Sequence, residues 1–184
     1  MQRMPMENQR VVVVVEEAEA ARNALQWAVR NLLRPADFLT LLHVYPSTKS
    51  RTKQRRLRLN GFQLALSFKD LCNGIAEAKV EILVMEGDQG TEVVSLVRKI
   101  AATTLIAGLH DRSFLYKRAI PILLTRTLNC RILAIKQHSP TQYGLADAEF
   151  SLVEIKGIGN PEAKAWFLVF LCHLGRIWRS SWWR

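Results

Sequence analysis

The sequence is short of the residues from which disulfide frameworks and structural zinc sites are built. Its 184 residues include only three cysteines, which form neither a CxxC pair nor a cluster with histidines. Spacing of this kind speaks against both a disulfide framework and a structural zinc site. We therefore expect free thiols, which are typical of a reduced compartment.

Long apolar runs are also missing. The aromatic run Trp166–Leu174 has only nine residues, about 14 Å as a helix, against the roughly 20 residues that span a bilayer. The first ten residues lack the apolar core of a signal peptide. We expect a protein that is not secreted and lies in the cytoplasm, or in the nucleus if a basic segment acts as a localisation signal.

The sequence contains no motif of two large enzyme classes. There is no HExxH of zinc proteases and no GxxxxGK(S/T) of Walker-type NTPases. His110 and Asp111 are adjacent, but adjacent side chains rarely face each other, and no serine or cysteine nucleophile has a recognisable setting nearby. His43 is interpreted as a core or sheet-edge histidine rather than a ligand. We predict no catalytic residue and no metal site.

Acidic residues are absent from residues 49–58, which we call the basic run. It supplies more than half of the net charge of +10 through Lys49, Arg51, Lys53, Arg55, Arg56 and Arg58. Such a run is typical of a nuclear localisation signal or of an arm that binds nucleic acid. It holds no aromatic residue that would stack on bases. The pattern favours a solvated basic loop, with nucleic-acid binding as the alternative.

Strand and helix patterns alternate along residues 10–138. Five apolar segments predict strands at 11–15, 38–45, 79–85, 103–107 and 131–136, and the first and fourth are rich in β-branched residues. Between them, apolar residues at i, i+3, i+4 and i+7 predict helices. This order predicts a doubly wound parallel α/β sheet with right-handed crossovers and helices on both faces. Ligands of such sheets bind at the carboxyl ends of the strands, which directs attention to the loop after Gly108.

The chain divides into three parts by composition. We predict an N-terminal arm at 1–9, the α/β domain at 10–138, and a linker with an aromatic, basic tail at 139–184. Phe150–Ile155 is a strand-like piece within this extension. The aromatic run of the tail predicts an interface, either with the domain or with a second subunit. A membrane surface is the alternative.

Residues 10–138 resemble the universal stress protein family, within the adenine nucleotide alpha hydrolase-like superfamily. The resemblance lies in VVVVVEEAEAARNALQWAV, LLHVYP, EGDQG, LIAGLHD and NCRILAIK. GLHDRSFLYKR and LNCRILAIKQ look most like the plant branch. The resemblance implies a five-stranded parallel sheet of order 3-2-1-4-5, a homodimer through the last strand, and roles in stress responses. Some members of the family bind ATP.

The resemblance also implies a candidate nucleotide site. The family's aspartate falls on Glu16, its second-strand valine on Val44, and the first glycine of its phosphate loop on Gly108. The second glycine falls on Asp111 and the third on Pro121. An aspartate adds negative charge and a proline has no N–H, and both changes oppose phosphate binding.

Three hypotheses follow for function. The first is a stress-associated binding module, dimeric and with unknown protein partners, whose ATP site is degenerate or lost. The second is recruitment to nucleic acid or a membrane surface through the basic run and the tail. The third is retained binding of ATP or another adenine nucleotide.

Overall fold

A computed structural model of the chain describes residues 8–73, 78–111, 113–116, 128–137 and 150–155. The strands in these ranges are β1 (Arg10–Val14), β2 (Phe38–Tyr45), β3 (Lys79–Glu86), β4 (Thr104–Gly108), β5 (Arg131–Gln137) and β6 (Phe150–Ile155). The α-helices are α1 (Glu19–Asn31), α2 (Arg51–Lys69) and α3 (Gln89–Lys99), and short 3-10 turns occupy Asp70–Cys72 and Phe114–Tyr116.

The strands form one sheet of order β3-β2-β1-β4-β5-β6. Strands β1 to β5 are parallel, so the predicted five-stranded parallel sheet of order 3-2-1-4-5 is confirmed. β1 lies at its centre because its valines are apolar on both faces. Val11 and Val13 face α1 and α2, whereas Val12 and Val14 face α3. All four are at most 1% exposed.

Helices cover both faces of this sheet, as the pattern predicted. On one face, α1 buries Ala21, Ala24 and Ala28 with Leu25; small side chains let a helix lie close to the strands. On the other face, α3 packs together with the 3-10 turn Phe114–Tyr116. The connections place the ends of β1 and β4 side by side at the carboxyl edge of the sheet.

β6 adds a strand beyond the predicted sheet. It is antiparallel to β5, from Ile132 opposite Ile155 to Gln137 opposite Phe150, and an ion pair of 2.9 Å joins Arg131 to Glu154. The strand-like piece of the extension is thus a strand of the same sheet. β5 is therefore paired on both sides, with β4 and with β6. The homodimer and the domain boundary near residue 138 stay predictions.

The basic run is a helix rather than a loop. Five of its six basic residues lie on α2, and only Lys49 precedes it. The Ser50 hydroxyl caps the helix by accepting the Lys53 N–H at 3.4 Å. The prediction failed because dense charge hides apolar periodicity, although arginine, lysine, glutamine and leucine are good helix formers.

Candidate functional site

The candidate site lies at the carboxyl edge of the sheet, around Glu16. Glu16 follows β1, and both oxygens of its carboxylate have partners. Oε2 lies 3.0 Å from Nε2 of His110, which follows β4. Oε1 accepts a hydrogen bond of 2.8 Å from Nε2 of Gln89, the first residue of α3. The Glu16 side chain is only 13% exposed, so these contacts fill most of its surroundings.

Local structure fixes both partners of Glu16. Asp88 caps α3 by accepting hydrogen bonds of 3.1 Å from the N–H and the hydroxyl of Thr91, which sets the position of Gln89. The Leu109 N–H donates to the Ile135 carbonyl at 2.7 Å and so extends the β4–β5 pairing up to His110. His110 therefore lies just beyond the end of β4, next to the end of β1, where its imidazole contacts Glu16.

The turn after His110 uses backbone donors that a phosphate loop would offer. Besides the Leu109 N–H, the Ser113 N–H is engaged, since it donates to the His110 carbonyl at 2.8 Å. Asp111 is exposed in this turn. The Ser113 hydroxyl is buried and has no hydrogen-bond partner among the described residues. Pro121, where the third family glycine falls, lies outside those residues.

Gly108 has a packing role in this structure. A Cβ atom placed on it would lie 2.4 Å from the carbonyl carbon of Ala20 and 2.5 Å from the nitrogen of Ala21. The start of α1 therefore fills the space beside the Gly108 Cα. A glycine is needed here for close contact between a strand and a helix, as in other α/β folds.

The other sequence-derived candidates are only partly brought together. Val44 is 9% exposed and packs in the apolar cluster beneath α3. His43 is half-buried, with Nδ1 2.9 Å from the Val15 carbonyl oxygen. Because that oxygen can only accept, Nδ1 carries the proton, and the structural interpretation of this histidine is supported. The aromatic run of the tail lies outside the described residues.

Sequence reasoning missed the contacts that Glu16 makes. It weighed His110 against its neighbour Asp111, whereas the partner of His110 is 94 residues away at Glu16. The available signal was the strand order, because β1 and β4 are neighbours in a 3-2-1-4-5 sheet and their following residues must meet. Nothing in the sequence identified Gln89 as a partner of Glu16, because a glutamine in the first turn of a helix is common.

The described residues contain neither a metal-binding cluster nor a reactive thiolate. No three histidine, cysteine or acidic side chains among them are placed to share a metal ion. Burial raises the pKa of the Cys72 and Cys130 thiols from 9.0 to about 11, so neither is a reactive thiolate at neutral pH. In the same ranges, no helix is both long and apolar enough to pass through a bilayer.

The strand order and the helices on both faces define a doubly wound α/β domain. The model of the universal stress protein family matches residues 7–121, and the chain belongs to this family. The expected membership is confirmed; the plant branch stays a prediction. No curated protein matches the chain.

Solved structures show the same fold. A universal stress protein from Arabidopsis thaliana with AMP bound is 18% identical, with a TM-score of 0.52, and the match covers 73% of this chain and 97% of that one. A member of the family from Burkholderia pseudomallei is 17% identical, with a TM-score of 0.50, and the match covers 69% and 95%.

Proposed function

We propose that this chain is a binding module of the universal stress protein type, acting in a stress response, whose adenine-nucleotide site is closed by its own side chains. The observation that carries the proposal is the double occupation of the Glu16 carboxylate by Gln89 and His110. The Arabidopsis neighbour holds AMP, so the fold accommodates an adenine nucleotide. The question for this chain is whether its own residues leave room for one.

A nucleotide that used Glu16 would have to displace both donors. A hydrogen bond to a charged group is worth about 1.5–3 kcal/mol, so losing two costs about 3–6 kcal/mol unless the ligand restores them. At about 1.4 kcal/mol per tenfold change, affinity falls by a factor on the order of a hundred to ten thousand. A micromolar site would become roughly millimolar.

The loop after β4 supports the same conclusion on the phosphate side. The N–H groups of Leu109 and Ser113 already donate to carbonyls, and α1 fills the space beside Gly108. Asp111 adds a negative charge where the family has a phosphate-facing glycine. A phosphate at this turn would meet repulsion and would find two of its donors engaged.

Calorimetric titration of the full chain with Mg-ATP and with AMP tests the proposal. We expect no binding tighter than about millimolar in the wild type. His110→Ala and Gln89→Ala each free one oxygen of Glu16, so each should improve AMP affinity by about tenfold or more. Gln26→Ala on α1 is the matched control, because Gln26 is half-buried and is not among the hydrogen-bond partners of the Glu16 carboxylate.

Two results would contradict the closed site. A wild-type dissociation constant in the low micromolar range would mean that the nucleotide finds other donors. Loss of affinity in Gln89→Ala or His110→Ala, in place of a gain, would mean that these side chains bind the nucleotide rather than exclude it.

A further inference from the structure

A groove beside the basic run is lined by none of the side chains Glu16, Gln89 and His110. It occupies about 440 Å³ between the first half of α2 and the carboxyl ends of β2 and β3. Its lining residues are three arginines of the run and three residues of neighbouring elements, namely Arg51, Arg55 and Arg58 with Tyr45, Gln54 and Glu86. Ligand pockets for small molecules have volumes of roughly 300–1,000 Å³, so the groove has the size of one.

The three arginines stand on one face of α2, at spacings of four and three residues. No ion pair joins any of them to another described residue, and all three are exposed. Like charges at i and i+4 destabilise a helix, and cations in a first turn oppose the helix dipole. The first turn of α2 has no acidic residue to offset them. The arrangement therefore lowers stability in the free protein, and a bound anion would reverse this effect.

The wall of the groove opposite the arginines is polar, and one of its side chains is already held in place by a hydrogen bond. Tyr45 is only 6% exposed, yet its hydroxyl makes no hydrogen bond with a described residue. The Gln54 side chain donates to Oε2 of Glu86, which ties α2 to the end of β3. Oε1 of Glu86 accepts no hydrogen bond from a described residue, and an unpaired carboxylate oxygen accepts hydrogen bonds from hydroxyl groups.

We propose that this groove binds a small hydroxylated phosphate compound, of the sugar-phosphate class. Guanidinium groups bind phosphate through paired N–H donors, so Arg51, Arg55 and Arg58 would hold the phosphate. Glu86 would accept from the hydroxyl groups of the ligand, and Tyr45 would donate to its oxygens. The carboxylate in the groove disfavours a long polyanion, since a continuous phosphate backbone would pass close to Glu86.

The test is calorimetric titration of the full chain with ribose 5-phosphate, with pyrophosphate, and with unphosphorylated ribose as control. We expect submillimolar binding of ribose 5-phosphate and no binding of ribose. Arg55→Gln should weaken ribose 5-phosphate at least tenfold. Arg56→Gln is the matched control, because it removes the same charge from the adjacent exposed position outside the groove, and it should change affinity less than twofold.

Glu86 gives a second, independent measurement. Glu86→Gln removes a negative charge but keeps the shape of the side chain. Pyrophosphate, which has no sugar hydroxyls, should then bind several-fold tighter, whereas ribose 5-phosphate should gain less. A structural role for Glu86 alone would move both ligands equally. Circular dichroism of each variant checks that α2 is retained.

Several outcomes would overturn the proposal. Absence of ribose 5-phosphate binding at millimolar concentration would do so directly. Equal losses in Arg55→Gln and Arg56→Gln would mean that net charge, not the groove, attracts the ligand. A single-stranded oligonucleotide that binds more tightly than ribose 5-phosphate, with affinity falling by orders of magnitude between 50 and 200 mM salt, would assign α2 to nucleic acid instead.

Discussion

Replacing Gly108 by alanine tests whether this glycine packs the fold or serves a ligand. The new methyl group would lie 2.4 Å from the carbonyl carbon of Ala20 and 2.5 Å from its oxygen. Ordinary carbon contacts are about 3.5–4.0 Å, so the overlap is on the order of 1 Å. Because the atoms contacted belong to the backbone, no side-chain rotation relieves it. The start of α1 must move away from β4.

Such overpacking costs typically about 1–3 kcal/mol, and we expect the upper end because α1 packs on both β4 and β5. About 3 kcal/mol is a large part of the 5–15 kcal/mol that stabilises most domains. The melting temperature should fall by roughly 6–12 °C, at about 2–4 °C per kcal/mol for a chain of this size.

Urea unfolding of the ligand-free protein, followed by far-ultraviolet circular dichroism, measures the effect. Gly61→Ala is the control, because the added methyl group would meet a side chain rather than backbone, at 2.4 Å from the His43 ring, and alanine favours a helix by about 1 kcal/mol over glycine. Its loss should be smaller. A Gly108→Ala midpoint equal to that of the wild type would refute the packing role and return Gly108 to the candidate phosphate site.

Three further predictions concern other parts of the chain. Ser113→Ala should leave the free energy of unfolding unchanged or raise it by about 1 kcal/mol, because it removes a buried hydroxyl that has no hydrogen-bond partner among the described residues; a loss in urea unfolding would reveal a partner. Burial raises the pKa of Cys72 and Cys130 from 9.0 to about 11, so the folded chain keeps thiol protons that the unfolded chain loses. Stability measured by urea titration should therefore fall from pH 9 to pH 11, and the double variant with alanine at both positions should lack this part of the decline. A 1–137 fragment, which lacks β6, should self-associate in light scattering more than the full chain does, because β5 then has an open apolar edge; a monomeric fragment at tens of micromolar (roughly a weak-complex regime) would contradict this.

Strands were predictable where burial on both faces left a simple pattern. The four valines of β1 and the apolar residues of β2 sit in the sheet as expected. The face of α1 was equally readable, since Ala21, Ala24 and Leu25 recur at helical spacing and are buried. In each case the pattern within one segment is enough to predict the element, and no partner distant in the sequence has to be known.

Features that depend on distant partners were not predictable in the same way. The strand-like piece at Phe150–Ile155 was visible, but its pairing with β5 requires knowing which edge it reaches. The contact between Glu16 and His110 joins loops after two strands that are neighbours in the sheet but not in the sequence. The first part of α2 was predicted as a loop for a local reason. Helix propensity in Arg51–Arg58 is carried by charged residues rather than by an apolar stripe.

The antiparallel strand β6 sets an order of events during synthesis. β5 ends at Gln137 and its second partner is complete only at Ile155, 18 residues later. At about 5–20 residues per second, roughly one to four seconds pass between the two. Throughout that interval, the growing chain presents the edge of β5 with Ile132, Leu133 and Ile135 in it. A nascent chain paused in this window would be the form most exposed to chaperones and to pairing with other chains.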